Sequence, residues 1–90
     1  MNMENKKAEL EFPVTWRYRA VVDGSSLPDS INMLSAILRS FGQDGQWRAE
    51  QASSSGKYQS FSAEVTFPDR ETMEKISSAL QGVPGVRFLL

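Results

Sequence analysis

From Val14 to Asp23 apolar and polar residues alternate: Val14, Trp16, Tyr18, Ala20 and Val22 share one side, Thr15, Arg17 and Arg19 the other. That is the period of a half-buried strand. Gly24-Ser25-Ser26 breaks it, and Pro28 suits the first position of a helix, with Ser26 or Leu27 as its cap. Ile31, Leu34, Leu38 and Phe41 then recur at helical spacing, Met33 and Ile37 widen the stripe, and Gly42 stops it. Gln46 to Ala52 reads as a short strand with Trp47 and Ala49 on one face. Tyr58 to Phe67 alternates clearly, with Phe61, Ala63, Val65 and Phe67 against Ser60, Ser62, Glu64 and Thr66. Asp69 caps a second helix carrying Met73, Ile76, Ala79 and Leu80. Gly82 closes that helix, and Pro84-Gly85 leads into a last strand over Val86 to Leu90.

The central hairpin has an expected register. With Ser53 to Lys57 as its loop, Ala52 pairs with Tyr58, Ala49 with Phe61 and Trp47 with Ala63, so that large faces small on the last two rungs. Strand, helix, strand, strand, helix, strand, joined by right-handed crossovers, predicts an α+β ferredoxin-like βαββαβ sandwich. Its four-stranded antiparallel sheet has the order 4-1-3-2, with both helices on one face. The first eleven residues are polar and read as a flexible N-terminal tail (1–11), leaving a single domain over 12–90.

Charge and composition narrow the function. Ten Lys plus Arg against eleven Asp plus Glu leave a formal net charge of −1, without the basic surplus that phosphate contacts call for. With no cysteine and no histidine, disulfides, Cys/His zinc sites, Cys nucleophiles and His general bases are all excluded. Metal ligands, cofactors and catalytic residues are not expected. No apolar run reaches bilayer length and the first residues lack a signal-peptide h-region, so a cytoplasmic protein with no membrane contact is expected.

The open sheet face is expected to carry Thr15, Arg17, Arg19, Arg48, Glu50, Ser60, Ser62, Glu64, Arg87 and Leu89. Arg17, Arg19, Arg48 and Arg87 make it mildly positive. A nucleic-acid platform on such a face needs aromatics on the central strands, but Trp16, Tyr18 and Phe61 fall in the core phase. A solvated face with cross-strand Arg–Glu pairs accounts for the same residues. Gly56-Lys57 among serines lacks the spacing of a phosphate loop and precedes a strand, so turn chemistry explains it. Glu50 and Glu64 are too exposed and too far apart in register to work as a catalytic pair. The two sheet edges, the last strand and Gln46–Ala52, are candidates for homodimerisation.

Glu11-Phe12-Pro13 ahead of an aromatic strand, and Ser54-Ser55-Gly56-Lys57-Tyr58-Gln59-Ser60-Phe61-Ser62, resemble the opening and the S-x-G-x-Y-x-S-x-S hairpin of the small bacterial YbeD-like proteins, a family of unknown function. The resemblance covers nearly the whole chain; the serine-rich loop and longer tail depart from it. It implies a ferredoxin-like fold akin to the ACT regulatory domains, which bind small effectors such as amino acids. It therefore implies a non-catalytic regulatory module that binds a small metabolite or a protein partner. The effector pocket is expected near the Asp23–Pro28 turn, with Asp23, Gly24 and Ser25 supplying polar groups, or at a subunit interface. The alternative is a nucleic-acid-binding module built on Arg17, Arg19, Arg48 and Arg87.

Overall fold

The computed structural model describes residues 11–90; residues 1–10 of the expected tail lie outside that range. Strand β1 (Val14–Asp23) runs into a single 3-10 turn at Gly24–Ser26, followed by helix α1 (Asp29–Ser40). Strands β2 (Arg48–Ala52) and β3 (Tyr58–Phe67) form the hairpin, and helix α2 (Arg70–Gln81) leads to β4 (Val86–Leu89). The sheet order is β2-β3-β1-β4 and every pairing is antiparallel, as the pattern predicts. Ten consecutive rungs join β1 and β3, from Val14–Phe67 to Asp23–Tyr58, so these strands are the spine of the sheet.

The alternating residues build the core. Tyr18, Ala20 and Val22 from β1 and Phe61, Ala63, Val65 and Phe67 from β3 pack with Leu34 and Leu38 of α1 and Ile76 and Leu80 of α2. Tyr18 and Phe67 meet edge to face at 5.9 Å, a favoured aromatic geometry. The Tyr18 hydroxyl reaches Ser77 Oγ, which satisfies its one polar atom inside the core. Burial nonetheless holds the phenol above its ordinary pKa, with the Ser77 bond acting the other way.

Several local expectations are corrected. Pro28, not Ser26 or Leu27, is the N-cap of α1, and it makes no side-chain cap bond. Ser26 instead donates to Asp23 O at 2.8 Å, and the Ser30 hydroxyl, with its single proton, lies 2.8 Å from Ser26 Oγ and 2.6 Å from Pro84 O. This serine chain ties the turn to the Pro84-Gly85 loop. In the hairpin, Ala49 pairs with Phe61 as expected, but Ala52 pairs with Gln59 rather than Tyr58. The slip is a bulge in β2, and it places Ser53 opposite Tyr58, with Ser53 N–H donating to Tyr58 O at 3.0 Å.

The last strand also departs from simple alternation. Val22 pairs with Val86 and Val21 with Phe88, so Arg87 is an extra residue in a bulge. Leu89, expected on the open face, is thereby turned to the core, while Phe88 stands on the open face beside Val21. Leu90 exchanges two backbone bonds with Arg19, at 3.1 and 2.9 Å, and shares that face. Trp16 has the core phase yet is 51% exposed. β4 accompanies β1 only from Arg19 onward, so among the described residues no strand flanks Trp16 on that side; its Nε1–H donates to Leu90 O at 3.4 Å. Among the described residues, no helix is long and apolar enough to cross a membrane.

Candidate functional site

The open face gathers its charge where β1, β2 and β3 lie side by side. Register places Arg17 opposite Glu64, and Arg19 opposite Ser62, which in turn faces Arg48. Glu50 reaches across β3: Ser62 Oγ donates to its Oε2 at 2.6 Å, and Arg17 NH2 donates to the same oxygen at 3.2 Å. Ser62 is buried beneath this pair, whereas Arg17, Arg19 and Arg48 are exposed. The Ser62 bond first, and then Arg17 and Arg48, hold the Glu50 carboxyl below its ordinary pKa. Glu50 is therefore a fixed anion that orients Arg17 and not a proton carrier near neutral pH.

Two adjoining cavities open over these residues. The larger, about 580 Å³, is lined by Arg17, Asp44, Gln46, Trp47, Arg48, Ser62, Ala63 and Glu64. The smaller, about 330 Å³, is lined by Arg17, Arg19, Glu50 and Ser62. Both share Arg17 and Ser62, so they form one depression with two lobes, whose three arginines are matched in number by the carboxylates of Asp44, Glu50 and Glu64.

The larger lobe exists because the β2–β3 ladder stops early. Continuing the register would set Trp47 opposite Ala63 and Gln46 opposite Glu64, but pairing ends at Arg48–Ser62. Gly45 explains where the chain goes. It is buried against α1 with φ +72, and a Cβ there would stand 2.9 Å from Ser35 O and 2.8 Å from Arg39 Cγ. Only glycine allows that approach, and it draws the 44–47 segment away from β3. Trp47 packs against the core, leaving its buried Nε1–H without a partner among the described residues. Beyond the gap the Gln43 side chain stands in for a strand: its Nε2 donates to Thr66 O at 2.9 Å, and Thr66 N–H donates to its Oε1 at 3.3 Å.

Arg17, Arg19 and Arg48 thus come together. Arg87 does not join them: from the β4 bulge it donates to Asp23 Oδ2 through Nε at 3.2 Å and NH2 at 2.7 Å. Asp23, Gly24 and Ser25 line neither cavity. The Asp23 carboxylate is taken by Arg87, and Gly24 N–H donates to Lys57 O at 2.7 Å, so the turn is closed by its own contacts. Asp44, Gln46 and Trp47 are lining residues that sequence reasoning missed. Their signal was Gly45, a glycine inside an expected connection rather than at its end. No group of three or more His, Cys, Asp or Glu among the described residues is arranged to hold a metal ion.

Architecture and site define a small ferredoxin-like α+β domain with an arginine-containing, charge-balanced depression on the open face of its sheet. The chain belongs to the YbeD family: residues 7–90 match DUF493, described as a protein of unknown function. Its fold is similar to that of the solution structure of protein HP0495 from H. pylori, with a TM-score of 0.80 and 18% identity. That likeness covers 100% of this chain and 94% of the other. No curated protein sequence matches the chain.

Proposed function

We propose that the protein is a non-catalytic regulatory module that binds a small acidic metabolite in the two-lobed depression over Arg17, Arg19 and Arg48. The observation that carries this reading is the convergence of both cavities on Arg17 and Ser62, with Arg19 and Arg48 in their walls. Arginine forks match carboxylate geometry, and Glu50 already fixes one of them. The lowered pKa of Glu50 supports a binding role over acid–base chemistry. A thermal-unfolding screen against mono- and dicarboxylates tests it. A ligand at about 100 times its dissociation constant adds roughly 2.7 kcal/mol, or about 10–20 °C in a domain of this size. The shift should vanish in a paired Arg19→Ala, Arg48→Ala variant; an unchanged shift there would refute the site.

Nucleic-acid binding is the second reading. Phe88, 65% exposed, supports it by standing on the same open face. Arg87 and Arg17 are engaged by Asp23 and Glu50, which leaves Arg19 and Arg48 to meet phosphates. Oligonucleotide affinity that falls steeply between 50 and 200 mM salt, on the order of that expected for several phosphate contacts, would favour it over metabolite binding. We further propose self-association through the β4 edge, where Phe88 and Leu90 stand exposed on the open face. Light scattering that shows only monomer across a wide concentration range would rule this out.

A further inference from the structure

Along β3, the N–H and C=O of every second residue point toward β2. Thr66 and Ser62 belong to that set, and each has its neighbour: the Gln43 carboxamide on Thr66 and Arg48 opposite Ser62. Glu64 lies between them. Its N–H and C=O point the same way, into the larger cavity, and neither makes a hydrogen bond among the described residues. Ser62 and Thr66 are about 13 Å apart along the strand, so the gap has room for one pairing and no more. A longer strand cannot add there, because both flanking positions are already filled.

We propose that this gap is a binding site for a small molecule that carries a primary carboxamide and a carboxylate. The inference rests on the reading of the depression as a metabolite site and names the ligand's chemistry. The carboxamide repeats on Glu64 what the Gln43 side chain does on Thr66: it donates N–H to the backbone C=O and accepts from the backbone N–H through its oxygen. The carboxylate meets Arg48, which makes no ion pair among the described residues, with Arg17 beside it. Gly45 keeps the slot open by holding the 44–47 segment against α1. A diacid satisfies the arginines but has no donor for Glu64 C=O. A neutral amide satisfies Glu64 but leaves Arg48 unmatched.

The test is an amide-resolved NMR titration of the full chain with succinamate and glutaramate, alongside succinate and propionamide as matched controls. The Glu64 amide proton should move and saturate with one of the two carboxamide acids, with affinity at least about tenfold above either control. Arg48→Ala, checked by its own spectrum to be folded, should weaken that binding about tenfold or more. Shifts confined to the arginine side chains, or a Glu64 response as large with succinate, would overturn the carboxamide slot and leave the acidic-metabolite reading standing. No saturable response to any of the four would overturn the slot; if the carboxylate screen also shows no shift, the metabolite reading falls with it.

Discussion

At Glu50, Ser62 and Arg17 act in the same direction, both stabilising the ionised carboxylate. A folded-state pKa below the unfolded value adds stability above the unfolded pKa, and that stability is lost as pH falls through the folded one. The carboxyl resonance of Glu50 should therefore titrate below the usual glutamate midpoint. In Ser62→Ala, which removes the largest contribution, it should move upward toward the ordinary value; an unmoved midpoint would show that the hydroxyl is not the cause. Trp47 presents the opposite situation, a buried donor with no partner among the described residues. Trp47→Phe removes the indole N–H together with its desolvation cost, so denaturant unfolding should show a change within about 1 kcal/mol despite the smaller ring.

Among the elements, α2 begins at the Asp69 cap, whose carboxylate accepts from Thr72 N–H at 2.8 Å. That bond lowers the Asp69 pKa, so the cap's contribution is present near neutrality and fades as pH drops through the folded-state value. Asp69→Ala should lower the unfolding midpoint at pH 7 and narrow its gap to the parent in acid; equal losses at both pH values would count against the charged cap. Gly45→Ala combines a positive φ with a contact below 3 Å to Ser35 O, and should cost about 1–3 kcal/mol. The elements themselves were legible in the sequence because alternation and helical spacing are strong in both long strands and both helices. The bulges were not, since one extra residue at Arg87 or near Ala52 leaves no mark in composition yet turns Phe88 outward and Leu89 inward. Arg17 and Arg19 were legible from the phase of β1, and Arg48 from that of β2. The cavity was not, because it depends on how Gly45 draws a connection against α1.

For the molecule as a whole, the core is one cluster in which sheet and helices interlock at Leu34, Leu38, Ile76 and Leu80. Truncating Ile76, fully buried on α2, to Ala should cost about 2–5 kcal/mol. In a domain of this size that is a large share of total stability. A loss under 1 kcal/mol by denaturant melting would mean that α2 is not seated as described. The β1–β3 ladder bears on something else, the order in which the chain can assemble. Val14 meets Phe67, 53 residues further along, and even its nearest rung, Asp23 with Tyr58, closes a long loop. The β1–β3 rungs cannot form early, so the entropy of that closure is met before any of them returns it, and folding should be slow for the domain's size. During synthesis the earliest strand must wait for β3 to leave the ribosome. In that interval α1 is the element that can close through its own local contacts, while Trp16 and Tyr18 travel unpaired.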